Sequence, residues 1–173
     1  MIFMEAVIYF DGLNEPVNPG GVACWGFVVE FDGKKMENNG VLGAGMNGNY
    51  TTNNIAEYTG LIKALEFLKG MLGGDVRVKL YGDSQLVIFQ LKGSYRVKSE
   101  NVRPLYQKAV ELINEFNDVE IRWVPREQNK DADEQTRKAF ERFVKENWER
   151  YKQYYGKIGW ARKRSKGIGL PTL

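Results

Sequence analysis

Four acidic residues, Asp11, Glu57, Asp83 and Asp133, are spaced so that their carboxylates could converge on one cavity. A hard divalent cation such as Mg²⁺ needs oxygen ligands of this kind. Hydrolysis of a phosphodiester by two such ions needs several carboxylates within a few ångströms, and the spacing points to a divalent-metal nuclease site. Without a cation the same groups would repel one another and push at least one pKa upward, so the quartet makes physical sense mainly as a metal site. Singly, each acid has a plainer reading. Asp11-Gly12 could be a strand-ending turn. Glu57 could reach back in a capping box from Asn54-Ile55-Ala56-Glu57. Asp83 could cap the helix that begins at Ser84, and Asp133 could favour its helix from the positive first turn.

The elements that must position these acids are legible in the apolar pattern. Strands are expected at about 4–10, 21–31 and 34–43, with Asp32-Gly33 as the hairpin turn between the last two. Ala6-Val7-Ile8-Tyr9-Phe10 closes on Asp11, and Val76-Arg77-Val78-Lys79-Leu80-Tyr81-Gly82 closes on Asp83, so two strands are expected to end in aspartate. Between them Ile55, Tyr58, Leu61, Ile62, Leu65 and Leu68 recur at helical spacing over 52–70, and Gly70 with Gly73-Gly74 stops that helix. Helices over 84–91 and 103–116 follow, the second with Pro104 in its first turn, where a missing N–H costs nothing. A fifth strand, Val119-Glu120-Ile121-Arg122-Trp123-Val124, precedes a last helix expected from Asp131 to about Tyr154, uninterrupted by Pro or Gly. Three antiparallel strands followed by helix-separated strands predict an α/β fold with a mixed sheet and helices on both faces. Sites in such sheets lie at the carboxyl ends of strands.

A chain of 173 residues fits one domain with room for an appendage. No apolar run approaches the ~20 residues of a membrane span. The start, Met1-Ile2-Phe3-Met4-Glu5, lacks the layout of a secretory signal, so a cytoplasmic protein is expected. Cys24 is the only cysteine, which excludes an internal disulfide. The absence of histidine excludes a histidine-based triad, a histidine zinc site and histidine acid–base catalysis. Charge is unevenly distributed: residues 138–173 carry ten Lys and Arg against three Glu, a net of +7, and the rest of the chain is then −4. An acidic body with a basic, aromatic tail fits a polyanionic partner.

The words around the acids are more specific than the acids. Tyr9-Phe10-Asp11-Gly12 is followed by Asn18-Pro19-Gly20-Gly21; Thr52-Asn53-Asn54-Ile55-Ala56-Glu57 opens the first helix; then come Asp83-Ser84-Gln85 and Asn129-Lys130-Asp131-Ala132-Asp133. In this order the chain resembles the type 1 ribonuclease H family over roughly residues 4–145. The resemblance implies a ribonuclease H-like fold with five strands, antiparallel at first and then parallel. It implies Asp11, Glu57, Asp83 and Asp133 as ligands of two Mg²⁺ or Mn²⁺ ions, with Asp133 preferred over Asp131, which then reads as a helix cap. It also implies cleavage of the RNA strand of an RNA–DNA hybrid to leave a 5′-phosphate and a 3′-hydroxyl. By the same resemblance Asn18, Asn54 and Gln85 should meet the minor groove, where the 2′-hydroxyl distinguishes ribose. Thr52 and Asn53 should hold DNA-strand phosphate, and Gly12 and Ser84 belong to the same substrate-binding set.

Two departures accompany the likeness. Val124-Pro125-Arg126-Glu127-Gln128-Asn129 replaces a segment that carries a mobile histidine in many relatives, as in archaeal and plant-type members. Arg126 or Glu127 is expected to take over part of that duty. A basic protrusion of many relatives is also missing, with only Lys92 to Glu100 in its place. The chain therefore reads as a catalytic domain, 1–145, and a basic aromatic extension, 146–173, whose Trp148, Tyr151, Tyr154, Tyr155, Trp160 and Arg162-Lys163-Arg164 could stack on and neutralise nucleic acid. The alternative is a terminal helix whose aromatics dock on the body. A monomer with no membrane partner is expected. Competing functional readings are cleavage of double-stranded RNA and a non-catalytic nucleic-acid-binding module.

Overall fold

The computed structural model describes residues 4–156. The strands β1 (Glu5–Glu15), β2 (Val22–Phe31) and β3 (Lys34–Ala44) form an antiparallel meander. Asp32 and Gly33, with φ of 54° and 72°, supply the two left-handed residues that a tight hairpin between β2 and β3 requires. The strands β4 (Arg77–Gly82) and β5 (Asp118–Trp123) add in parallel, giving the order β3-β2-β1-β4-β5.

Helices cover both faces. On one, α1 (Asn53–Leu72), α2 (Gln85–Leu91) and α3 (Arg103–Ile113) enclose a core of Ile8, Phe10, Phe27, Tyr58, Leu61, Leu65 and Ile88. On the other, α4 (Lys130–Glu146) and α5 (Trp148–Tyr155) pack Phe140, Val144, Tyr151 and Tyr155 against Leu13, Val22 and Cys24. Among the described residues no helix is long and apolar enough to cross a membrane.

Two expectations need correction. β1 does not end at Asp11: its pairing with β4 stops at Phe10 and Gly82, whereas its pairing with β2 runs on to Glu15 and Val22. Asp11 is thus the first residue of β1 to pass beyond β4, which opens a space beside it. The final helix is also not continuous. At Asn147 the backbone turns to φ −125° and ψ 26°, and its N–H and side-chain amide both donate to the carbonyl of Phe143, closing α4. The bend lets α5 fold Tyr151 and Tyr155 into the second core. Asparagine can do this without the Gly or Pro that usually marks a break. The remainder of the basic extension, with Trp160 and Arg162-Lys163-Arg164, lies outside the described residues.

Two glycines let both helical layers approach at the level of Asp11. A Cβ on Gly12 would stand 2.2 Å from the backbone nitrogen of Glu57, and one on Gly26 would stand 2.8 Å from the carbonyl oxygen of Ala132. Gly26 is the cross-strand partner of Asp11. α1 therefore lies on the backbone just after Asp11 from one side, while α4 lies on the opposite strand from the other.

Candidate active site

Three carboxylates converge at the edge that β1 shares with β4. Asp11 on β1, Glu57 on α1 and Asp83, the residue after β4, each offer an oxygen, and these atoms all lie within 4.8 Å of one another. Asp11 and Glu57 are almost fully buried, at 5% and 2% exposure. Asp133, in the first turn of α4, lines the same cavity of about 650 Å³, where its Oδ2 accepts a bond of 3.3 Å from Arg137 Nε.

Local capping explains why the acids are free to converge. Thr52 caps α1, its hydroxyl accepting from the Ile55 N–H at 3.1 Å, so Glu57 is not needed for a capping box and turns inward. Ser84, rather than Asp83, caps α2, its hydroxyl accepting from the Val87 N–H at 3.2 Å. Asp83 is held instead by its own surroundings: Asn129 Nδ2 donates to its Oδ2 at 3.0 Å, and Trp123 Nε1 donates to its carbonyl at 3.0 Å. Asp131 pairs with Lys35 and is not part of the cavity lining.

Burial dominates the electrostatics. It pushes Asp11 up to about 8, the charge of Asp83 adds to the rise, and bonds from Glu57 and from the Gly12 N–H oppose it. Glu57 is driven well above the usual carboxylate range, first by burial and then by Asp11. Asp83 is raised by burial against the pull of Asn129 and Arg126. Burial and mutual repulsion thus oppose ionisation of all three groups in the protein alone. One Glu57 carboxylate oxygen, Oε2, is buried with no hydrogen-bond partner among the described residues. An all-oxygen donor set with unmet negative charge and an orphaned buried acceptor fits a hard divalent cation.

The remaining sequence candidates divide by position. Gly12, Asn18, Asn53, Ser84 and Arg126 line the cavity with the four acids. Asn54 lines a separate groove of about 540 Å³ with Leu86, Tyr95, Arg96 and Lys98. Thr52, Gln85 and Glu127 line neither, and Gln85 and Glu127 are exposed. Sequence reasoning passed over three residues. Asn129, 1% exposed, bridges Asp83 and the Phe10 carbonyl; it stands first in the Asn-x-x-Ala-Asp word, which was the available signal. Arg137 was signalled by its i,i+4 spacing from Asp133. Asn14 carried no signal, because β1 was expected to end before it.

Residues 35–139 match a protein-family model described as reverse transcriptase-like. The chain is 37% identical over 126 residues to ribonuclease HI of Halobacterium salinarum, a match covering 72% of this chain and 59% of that protein. It is 36% identical over 134 residues to a bifunctional protein of Mycobacterium tuberculosis, covering 75% of this chain and 34% of the other. The chain thus spans less than two thirds of the length of these curated relatives. Among solved structures, RNase H1 of Halobacterium salinarum superposes with a TM-score of 0.69 at 36% identity, covering 79% of this chain and 97% of that one. LC11-RNase H1, solved in complex with an RNA/DNA hybrid, gives 0.71 at 32% identity, covering 80% and 99%.

Strand order, two helical layers and carboxylates gathered where β1 outruns β4 define a ribonuclease H-like domain. Identity above 30% across nearly the whole of two solved ribonucleases H1 narrows that class. The chain belongs to the type 1 ribonuclease H family, and it lacks the histidine that many members carry before the last helix.

Proposed function

We propose that the chain is an endoribonuclease that hydrolyses the RNA strand of RNA–DNA hybrids. Asp11, Glu57, Asp83 and Asp133 hold two Mg²⁺ ions, for which Mn²⁺ substitutes, and the products carry 5′-phosphate and 3′-hydroxyl ends. The observation that carries this reading is the convergence of carboxylate oxygens of Asp11, Glu57 and Asp83, all within 4.8 Å of one another, with Asp11 and Glu57 almost fully buried. The hybrid bound by LC11-RNase H1 supports the substrate class. When bound, such ions supply Lewis acidity, lowering the pKa of a water and offsetting charge on the phosphate and the leaving oxygen.

The chain's own residues do the rest. Glu57 and Asp11 supply buried carboxyl oxygens whose ionised forms a bound cation would favour, and Asn129 keeps an oxygen of Asp83 aimed into the cavity. Asn18, Asn54 and Gln85 meet the minor groove, Thr52 and Asn53 hold DNA-strand phosphate, and Gly12 and Ser84 border the RNA strand. Arg126, at the cavity wall and near enough to Asp83 to favour its ionised form, replaces part of the missing histidine's role in moving protons or product, with Glu127 beside it. The expected division near 145 is drawn instead after α5, whose Tyr151 and Tyr155 are buried in the second core, and the cations of residues 157–173 attract the substrate's phosphates. All four carboxylates come from one chain, so the reading needs no second copy, and the buried free thiol of Cys24 suits a reducing, cytoplasmic setting.

The test is incubation of end-labelled RNA–DNA hybrid, duplex RNA and duplex DNA with the protein in Mg²⁺, Mn²⁺ or EDTA, beside Asp83→Asn. Cleavage of the hybrid's RNA strand in metal, absent in EDTA and in the variant, is expected. Hybrid bound but uncut in either metal would reduce the protein to a binding module, and preferential cutting of duplex RNA would replace the substrate.

A further inference from the structure

The amide side of the cavity is tied to α5 through the phenol of Tyr155. Asn14, Asn18 and Asn53 line the cavity together. Asn18 Oδ1 accepts from Asn14 Nδ2 at 2.9 Å and from the Asn53 N–H at 3.0 Å, so it joins the end of β1 to the start of α1. Behind it the segments are stitched again: the Gly20 N–H donates to the Thr51 carbonyl at 3.0 Å, and the Thr51 hydroxyl donates to the Gly21 carbonyl at 2.8 Å. The Gly20 carbonyl, in turn, accepts from the hydroxyl of Tyr155 at 2.9 Å, and the same hydroxyl accepts from the Met46 N–H at 3.1 Å. Tyr155 is 1% exposed, and its ring packs on Tyr151 and Tyr154 with centroids 5.0 and 4.8 Å away.

From this chain of bonds we infer that Tyr155 is a positioning residue for substrate binding: its hydroxyl fixes the loop that presents Asn18, and through it the Asn14–Asn18–Asn53 wall. The inference rests on the hybrid-cleaving reading above. Removing the hydroxyl takes from the half-buried Gly20 carbonyl and Met46 N–H the one partner that joins them, and the loop then gains alternatives to its present path. The clustered carboxylates stand on β1, α1 and the end of β4, and the hydrogen bonds of the Tyr155 hydroxyl go to Gly20 and Met46 rather than to any of them. Loss of the tether should therefore weaken substrate binding and spare the chemical step.

Tyr151 provides the control within the same helix. It is 2% exposed, packs in the same core, and its hydroxyl has no hydrogen-bond partner among the described residues. Tyr155→Phe and Tyr151→Phe thus remove equivalent atoms, but only one removes a tether.

Both variants of the full chain are compared with the wild type in steady-state cleavage of labelled hybrid in Mg²⁺ and in hydrogen–deuterium exchange. For Tyr155→Phe, KM is expected to rise about three- to tenfold with kcat within about twofold, the pattern of lost uniform binding. Deuterium uptake should rise in peptides covering residues 16–21 and 51–53. Tyr151→Phe should leave KM and those peptides unchanged. An unchanged KM in Tyr155→Phe overturns the inference, as does an equal rise in both variants, which would assign the effect to aromatic packing. Global unfolding of Tyr155→Phe also overturns it, by placing the hydroxyl in general stability. If the wild type fails to cut the hybrid, the functional reading falls instead, and the exchange data still judge the tether.

Discussion

Asn129 Nδ2 stands 3.0 Å from Asp83 Oδ2 and 2.9 Å from the carbonyl of Phe10, so one buried amide joins the carboxylate after β4 to the backbone of β1 just before Asp11. The parallel pairing of β1 with β4 stops at this point and no longer fixes the residues beyond it. Asn129 supplies that missing constraint from the start of α4. Its bond also favours the ionised form of Asp83 against the cost of burial.

Asn129→Ala is expected to lower kcat on hybrid by about 10- to 100-fold, the usual scale for groups that orient ligand carboxylates. KM should change little, because Asn129 is not among the residues lining the cavity. Asn129→Asp should be worse than Asn129→Ala at neutral pH, since it adds a carboxylate to a site already short of positive charge. Steady-state kinetics with circular dichroism to verify folding checks both, and a wild-type kcat in Asn129→Ala would remove the residue from the site's support.

Gly12→Ala should be severely destabilising, by roughly 3 kcal/mol or more, because the added carbon meets backbone rather than a yielding side chain. Relief requires α1 to move away from β1, and Glu57 moves with it. Thermal unfolding and soluble yield read the first effect. In whatever folds, metal-dependent stabilisation should shrink, and a variant with wild-type melting temperature and metal response would show that the close approach of α1 is not needed.

Much of the site was legible before the structure because metal ligands are few in kind and their neighbours form short, ordered words. The hairpin at Asp32-Gly33, the α1 stripe from Ile55 to Leu68 and the placement of Asp83 after its strand all follow from local rules. What escaped depends on tertiary context. Nothing local tells that β1 continues past Asp11-Gly12, because the continuation is paid for by pairing with β2. The bend at Asn147 arises from an asparagine that, exposed on a continuous helix, would read as ordinary. Asn129 could be read as part of a word, but its two acceptors, Phe10 and Asp83, lie 119 and 46 residues away in sequence.

The charge distribution makes a separate prediction about substrate grip. Residues 157–173 carry Lys157, Arg162, Lys163, Arg164 and Lys166 with no acidic residue. Deleting them should raise KM for hybrid at moderate salt and flatten the dependence of log KM on log salt, because fewer counterions are released on binding. kcat at saturating substrate should hold. A salt slope identical to that of the full chain would take these cations out of the interface.

The carboxylates set a stability that depends on pH and metal in a fixed direction. Asp11 is raised to about 8, and Glu57 and Asp83 are raised as well, whereas an unfolded chain ionises such groups at about pH 4. Between those values the unfolded chain has released protons that the metal-free fold retains. Folding stability from this cluster is therefore complete below about pH 4 and is lost as pH rises toward 8. A divalent cation opposes the loss, because it favours the ionised ligands, and its stabilisation should grow with pH as fewer protons must be displaced. Asp11→Asn removes one charge from the buried cluster. In EDTA its melting temperature should exceed that of the wild type by a margin that widens from pH 5 to pH 8, and Mg²⁺ should raise the wild type more than the variant. Using the difference between the two proteins cancels titrations elsewhere on the surface. A margin that narrows with pH, or an Asp11→Asn protein less stable than wild type in EDTA at pH 8, would mean that the buried carboxylates are compensated by the protein itself and that the site does not depend on a cation.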